Sequence, residues 1–369
     1  MASAYTAACT SAGCRVVTAA KEAFDSKASE LVLSGNRTVE LLDKRLVDLD
    51  IAPLAVALED SNPFSAIDVS FNMLGAGAAE SLRKLVVSDS TTQSLDLSQN
   101  EFTEGAVTSL CAGLKQNKSI QQLMLSGNKL GNPGGMALAD LLQTNSTLTA
   151  VHAANCELDT AALVALATVM RDNTSLRVLD VSRPLAKTIM DEPAAHFSRM
   201  LKVNSTLAAL DLSKSRMGDF GLQLLAEEVY RAGSSSGLLV LKVNGNNIQL
   251  VDTPCVQALM MLLSSDMCRL QELHLGSNRL CDEGALKLAE IVGASKKLRK
   301  LDVTSNSITS RGLCALARAV AQHAEMQEMD LWGNRFDSAA CLAWIPALQY
   351  LKLDIAVQEV DNAYHCVRC

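Results

Sequence analysis

Hydrophobic and polar positions repeat along this chain in one template, L-x-x-L-x-L-x-x-N-x-L. The template is complete in Leu270…Leu273-His-Leu275…Asn278-Arg-Leu280 and in Leu298…Leu301-Asp-Val303…Asn306-Ser-Ile308. Apolar residues at every second position predict a short strand that points its leucines into a core and the intervening residues outward.

Each predicted strand is followed by a segment with a different period. A small pair such as Gly105-Ala106 or Gly284-Ala285 opens this segment, and apolar residues then return three or four positions apart, as at Leu288 and Val292. That spacing predicts an amphipathic helix with one face on the core. Each repeat is therefore expected to hold one strand and one helix.

The asparagine of the template marks the repeat length. Its position falls at Asn36, Asn72, Asn100, Asn128, Cys156, Pro184, Ser215, Asn246, Asn278, Asn306 and Asn334. The successive spacings are 36, 28, 28, 28, 28, 31, 31, 32, 28 and 28 residues. Repeats of this length predict an α/β leucine-rich-repeat solenoid of the ribonuclease-inhibitor-like kind, a curved horseshoe with parallel strands on its concave side and helices on its convex side.

Most of these asparagines are expected to turn inward and hydrogen-bond the backbone of the neighbouring turn, forming a buried polar ladder. Cys156 is a tolerable substitute in the ladder, whereas Pro184 has no N–H and cannot play the asparagine role. Near residues 182–197 the usual helix start is replaced by an irregular stretch, which predicts a loop at the strand-to-helix edge. The loop is either a tolerated insertion or a partner-specific segment.

Three segments are predicted along the chain. Residues 1–30 are rich in alanine and form an N-terminal helical cap. Residues 31–344 form the leucine-rich-repeat domain of about eleven units. Residues 345–369 form a C-terminal capping segment, because a terminal repeat would otherwise expose an apolar side.

Composition limits the kinds of partner. Of 369 residues, 49% are hydrophobic and only 4% aromatic, so thin layers of aliphatic side chains are expected to fill the core. The net charge of −7 is spread without an acidic or basic run, which argues against a nucleic-acid partner. No long apolar stretch is present, so no membrane partner is expected.

The cysteines and the N-terminus indicate the compartment. The eleven cysteines are an odd number, and several, such as Cys111, Cys314 and Cys341, lie in apolar runs. Residues 1–17 lack the features of a secretory signal, so a reduced, cytoplasmic protein is expected. Four glycosylation sequons recur just before the first leucine of a repeat, at Asn117, Asn145, Asn173 and Asn204. Repeat register explains them without glycans.

Motifs for cofactor or metal chemistry are weak. Gly75-Ala-Gly77 resembles part of a dinucleotide fingerprint, but it falls where its repeat starts a helix. The terminal Cys366-Val-Arg-Cys369 has no second cysteine pair to complete a zinc site. We therefore expect no enzymatic activity, no cofactor, no metal and no small-molecule substrate.

The outward positions of the strands are the candidate interaction surface. From strand to strand they read Asp68, Asp96, Met124, His152, Asp180, Asp211, Lys242, His274, Asp302 and Asp330. Two large rings stand at flanking positions interpreted as facing solvent, and rings on such a surface often anchor a partner, although a single exposed ring needs no function. The candidate interaction residues are Phe71, His152, Arg183, Lys214, Lys242, His274 and Trp332.

Beyond the template, individual segments carry a family resemblance. Asn128-Lys-Leu-Gly-Asn-Pro-Gly-Gly-Met136, Val181-Ser-Arg-Pro184 and Leu331-Trp-Gly-Asn-Arg-Phe-Asp337 resemble a family of ciliary leucine-rich-repeat proteins. The resemblance runs from about Leu31 to the C-terminus and includes the irregular repeat. It implies a non-enzymatic structural subunit of the axoneme of cilia and flagella, associated with radial spokes, with axonemal proteins as partners.

Two other functions share this type of repeat. The template is also similar to the Ran GTPase-activating proteins, which makes regulation of a small GTPase the alternative. That family carries a long acidic C-terminal tail, whereas this sequence ends in Tyr-His-Cys-Val-Arg-Cys. Inhibition of a ribonuclease is a third possibility, and it would need a strongly acidic concave face.

Overall fold

The computed structural model describes residues 1–59, 61–185, 191–360 and 363–368. The chain forms two compact units, Met1–Leu185 and Ala186–Cys369. In each unit, short parallel strands alternate with helices in chain order. The predicted class of fold, an α/β leucine-rich-repeat solenoid, is confirmed.

The first unit pairs its strands in register and in chain order. Its strands are β1 (Glu30–Val32), β2 (Ala66–Asp68), β3 (Ser94–Asp96), β4 (Gln122–Met124), β5 (Ala150–His152) and β6 (Val178–Asp180). Its helices are α1 (Ala2–Ala12), α2 (Thr18–Ser26), α3 (Val39–Asp43), α4 (Asp48–Glu59), α5 (Ala76–Ser88), α6 (Glu104–Leu114), α7 (Gly131–Thr144) and α8 (Thr160–Val169). From α4 to α8, each helix contacts the next.

The second unit repeats this arrangement and ends in a hairpin. Its parallel strands are β7 (Ala209–Asp211), β8 (Val240–Lys242), β9 (Glu272–His274), β10 (Lys300–Asp302), β11 (Glu328–Asp330) and β12 (Lys352–Leu353). Its helices are α9 (Asp191–Val203), α10 (Asp219–Ala232), α11 (Thr253–Ser264), α12 (Cys281–Ala294), α13 (Ser310–Ala321) and α14 (Ser338–Trp344). Strands β13 (Ile355–Val360) and β14 (Ala363–Arg368) pair antiparallel, and β14 contacts α14.

The predicted asparagine ladder is confirmed. The side-chain amide of Asn100 donates to the carbonyl oxygens of Val69 and Leu97, each at 3.0 Å, and its own oxygen accepts from Leu74 N at 3.2 Å. At the Cys156 position, the thiol donates to Leu125 O at 3.2 Å. Seven of the eight template asparagines, all but Asn36, and Cys156 thus tie their own turn to the turn of the preceding repeat. Asn36 is exposed, and the hydroxyl of Ser215 donates to Leu212 O of its own turn.

The sequon asparagines form a second buried row that the sequence analysis did not anticipate. Asn145 is buried, its amide donates to Leu114 O at 2.9 Å, and its oxygen accepts from Thr147 N and Leu148 N. The others, Asn117, Asn173 and Asn204, are buried as well. The side-chain nitrogen that a glycan would occupy is thus enclosed in the folded repeat.

Both chain ends are covered by elements outside the repeat template. The ring of Phe24 on α2 lies 5.6 Å from that of Tyr5 on α1 and 5.3 Å from that of Phe64, measured between centroids. At the other end, the hydroxyl of Ser338 on α14 accepts from Tyr364 N on β14 at 3.3 Å. The exact boundaries of the three predicted segments stay predictions.

The predicted irregular loop lies partly outside the described residues, since residues 186–190 are not among them, and α9 begins at Asp191. Cys369 of the terminal C-x-x-C also lies outside them.

Within the described ranges, no helix has the length and apolar character needed to cross a membrane. Burial raises the pKa of Cys111 to about 12 and that of Cys156 to about 11, which makes both thiols poor nucleophiles.

Candidate protein-interaction face

The outward face of each unit consists of the first and last residues of its strands, since the middle residue of each strand is buried. The last positions are the predicted row from Asp68 to Asp180 in the first unit and from Asp211 to Asp330 in the second. These side chains are fixed on short strands, so a partner would meet a preorganised surface.

Much of the acidity in this row has a structural cause. The carboxylate of Asp96 accepts from Ser98 N, two residues later, at 2.9 Å. The same contact holds the turn after four other strands, at Asp68, Asp180, Asp211 and Asp302. Aspartate at this position is therefore explained by the turn that it closes.

In the first unit, His152 is the predicted interaction residue that lies on a strand. It is half-buried, and its Nδ1 lies 3.7 Å from a carboxylate oxygen of Asp180. Burial alone would raise the pKa of Asp180, but hydrogen bonds from His152 and Ser182 outweigh it, so the pKa is lowered. The pair places a donor and an acceptor side by side on the outward face.

The structure corrects the interpretation of both rings. Strand β2 ends at Asp68 and β11 at Asp330, so Phe71 and Trp332 lie in the turns after their strands and not on the sheet. Phe71 is half-buried with a φ of 58°, in the left-handed region. Arg183 and Lys214 occupy the same left-handed turn position, with φ values of 54° and 57°, and both are exposed.

In the second unit, His274 is not a free outward residue as predicted. It is only 8% exposed, because its ring lies between two carboxylates. Nε2 is 3.2 Å from Glu272 and Nδ1 is 3.7 Å from Asp302. Lys242, on the neighbouring strand, is half-buried.

A row of charged residues at the first strand positions was missed. Lys300 lies 2.5 Å from Glu328 and 3.1 Å from Asp330, and Lys352 lies 3.1 Å from Glu328. The period-two pattern places these residues on the same face as the predicted row, so the signal was present in the sequence. The cations of Lys300 and Lys352 neutralise part of the acidic row. The face is therefore less acidic than the inhibition of a ribonuclease would need.

The acid sensitivity of this network is testable at Asp302. Burial raises the pKa of Asp302, but the nearby ring of His274 and the hydrogen bonds from Thr304 prevail and lower it. The stabilisation is therefore complete above the ordinary aspartate pKa of about 4 and is lost as the pH falls through the lowered value. We expect Asp302→Asn to reduce the free energy of unfolding at pH 7, with the deficit shrinking below about pH 4. Urea titrations of both proteins from pH 7 to pH 3 measure it, and a constant deficit would contradict the assignment.

A cleft of about 480 Å³ lies beside Trp332, between the last turn and the C-terminal hairpin. The side chains of Trp332, Phe336 and Tyr364 line it, although the whole chain has only two Trp, four Tyr and seven Phe. The backbone N–H of Trp332 donates to the Asp354 carboxylate at 3.0 Å, which fixes the turn. Because Asp337, Ser338 and His365 line it as well, the cleft suits a partner side chain that has both an apolar body and a polar end.

The glycine motif near Gly75 has a structural use. The N–H groups of Gly75 and Gly77 donate to the Asp48 carboxylate, at 2.6 and 2.9 Å. The helix start that a phosphate would occupy is thus filled by an acid from the preceding repeat. In the part of the chain that the structure describes, no group of three or more His, Cys, Asp or Glu side chains is placed to hold a metal ion.

Comparisons with known proteins agree with the class of fold. The family model for the leucine-rich repeat matches residues 116–139, 203–226, 267–289 and 294–317. The chain therefore contains leucine-rich repeats, which indicate a scaffold for protein–protein interaction.

Among solved structures, an internalin (inlF) from Listeria monocytogenes is similar over 97% of this chain and 95% of its own, with 16% identity and a TM-score of 0.47. Actin-binding site 2 of leiomodin-1 is similar over 35% of this chain and 73% of its own, with 16% identity and a TM-score of 0.30. No curated protein matches the chain.

Proposed function

We propose that this protein is a non-enzymatic scaffold that binds other proteins through its outward face and the turns that follow the strands, as a cytoplasmic structural subunit of the ciliary or flagellar axoneme associated with radial spokes. The observation that carries the binding role is the aromatic cleft at Trp332, on a turn that follows Asp330, an ion-pair partner of Lys300. Aromatic anchors surrounded by charged groups are typical of protein interfaces.

The ciliary part of the proposal rests on the sequence resemblance. Segments of the chain resemble leucine-rich repeat-containing protein 34, and one of them is Leu331–Asp337. Trp332, Phe336 and Asp337 of this segment all line the aromatic cleft. The resemblance therefore includes residues of the candidate interface as well as core leucines.

Crosslinking mass spectrometry on detergent-stripped flagella tests this function. We expect crosslinks to radial-spoke proteins from Lys352 on the outward face and from Lys214 in the turn after β7. Lys287 on helix α12 is a matched control, since its side chain is half-exposed but lies off the strands. A protein that is washed out with the soluble fraction, or that crosslinks to other axonemal subunits only through helix lysines, would contradict the proposal.

A hydrolysis assay separates the scaffold from the alternative regulator of a small GTPase. Purified protein added to GTP-loaded Ran is expected to leave the rate of hydrolysis unchanged. A marked acceleration would establish the regulator in place of the scaffold.

A further inference from the structure

The first repeat is eight residues longer than the common repeat, since Asn36 and Asn72 are 36 residues apart while the usual spacing is 28. The structure places a short additional helix, α3, and the following turn in this repeat, ahead of α4. Insertions into a rigid repeat scaffold often serve binding, because they add surface without disturbing the core.

The inserted segment exposes apolar side chains. Five of them, between 41% and 81% exposed, lie in or near it: Val39, Leu42, Val47, Leu49 and Met73. Val47, Leu49 and Met73 line a cleft of about 440 Å³, which we call the first-repeat cleft. A cluster of exposed aliphatic residues around a concavity is typical of a binding surface.

The backbone around the first-repeat cleft is firmly held. The guanidinium of Arg15 donates to Lys44 O at 2.8 Å and to Arg45 O at 3.0 Å, while also contacting Asp50 at 3.4 Å. Met73 N donates to Leu46 O at 2.9 Å. The exposed apolar residues thus belong to an ordered cleft and not to a frayed segment.

The residues that line the first-repeat cleft have a net charge opposite in sign to that of the whole chain. Three cations and two acids give it a net charge of +1, whereas the whole chain carries −7. Arg15 is paired with Asp50, but Lys44 and Arg45 are exposed and make no ion pair with any described residue. Asp43 is the other acid of the lining. Two unpaired cations beside an aliphatic cleft complement an acidic partner that carries apolar side chains.

We propose that the first-repeat cleft binds an acidic segment of a partner protein, which inserts bulky aliphatic side chains against Leu49 and Met73 and places carboxylates near Lys44 and Arg45. The site lies apart from the outward face and does not depend on the axonemal proposal. A concave cleft fits inserted side chains, whereas a bilayer surface is better met by protruding ones.

Fluorescence anisotropy with the full chain tests this proposal. The probe is a dye-labelled amphipathic peptide with leucines on one face and glutamates elsewhere. The comparison peptide has the same leucines, with every glutamate replaced by lysine. We expect the glutamate peptide to bind at least ten-fold more tightly. Leu49→Ser should weaken its binding about ten-fold, because it removes a large apolar contact. Lys44→Glu combined with Arg45→Glu should abolish the preference for glutamate.

Val203→Ser is the matched control, because Val203 is an exposed aliphatic residue of similar exposure at the end of α9. Its affinity for the glutamate peptide should equal that of the unchanged protein. Equal affinity for the two peptides, or no effect of Leu49→Ser, would overturn the proposal. Two other results would also overturn it, if the glutamate peptide does not bind. One is binding to anionic phospholipid vesicles that Leu49→Ser abolishes, and the other is a dimer in light scattering that Leu49→Ser abolishes.

Discussion

Asn246→Ala is expected to lower the free energy of unfolding by about 3 kcal/mol. The Asn246 amide is buried and donates to Leu212 O and Val243 O, while its oxygen accepts from Ser215 N at 2.9 Å and Met217 N at 3.0 Å. The two carbonyls keep other donors after the substitution, but the two N–H groups lose their partner while staying buried. Unpaired buried N–H groups dominate the expected loss, which urea denaturation measures.

The next residue provides the control. Asn247 donates to Arg216 O at 3.2 Å in an exposed position, where water can replace the bond. Asn247→Ala should therefore change the free energy of unfolding by less than about 1 kcal/mol. Similar losses for both variants would show that the ladder contributes no more than an ordinary surface contact.

The second large effect is expected at the C-terminal end. Trp344 is fully buried, so Trp344→Ala should cost about 4 kcal/mol through lost contacts and the cavity that remains. Its indole N–H has no hydrogen-bond partner among the described residues. Trp344→Phe should therefore cost clearly less, since it keeps an aromatic ring in the core and removes an unsatisfied donor.

Leu342 lies on the same helix and is 50% exposed, which makes Leu342→Ala the matched control. Its free energy of unfolding should stay within about 1 kcal/mol of the unchanged protein. Tryptophan fluorescence is unsuitable for following thermal unfolding, because the substitution removes one of the two tryptophans. Circular dichroism should follow the transitions instead. A loss at Leu342 as large as that at Trp344 would contradict the role of the indole as the apolar core of the C-terminal end.

The sequence was sufficient for the strands and the helix starts, because each depends on residues close together in one repeat. The ladder could be predicted although its bonds cross between repeats, because an asparagine recurs at one fixed point of the template. Even the irregular ladder position at Cys156 followed from the size and hydrogen-bonding capacity of its side chain. The second asparagine row was visible only as a recurring position, and its burial follows from the bonds of the Asn145 amide to Leu114 O and Asn117 O of the preceding repeat. Its position before each strand was visible, but its burial depends on how neighbouring repeats stack.

The candidate site was harder to predict than the fold. His274 was expected to face out, yet the neighbouring strand brings Asp302 against it and buries the ring. Trp332 was expected on the sheet, whereas it lies in the following turn, where other repeats have small residues such as Ser98 and Ser182. Exposure of a side chain depends on its neighbours in adjacent strands, which period-two alternation does not describe.

The ladder also limits how an array of this kind changes during evolution. The Asn306 amide donates to Val303 O in its own turn and to Leu275 O in the preceding one, and its oxygen accepts from Leu280 N of the preceding repeat. A complete 28-residue repeat can therefore be duplicated or lost while every donor still meets an acceptor across the new junction. A break within the strand and its following turn would leave buried amides without partners, so the number of strands is expected to change in steps of whole repeats, whereas an insertion beyond the turn, as in the first repeat, leaves the ladder in place.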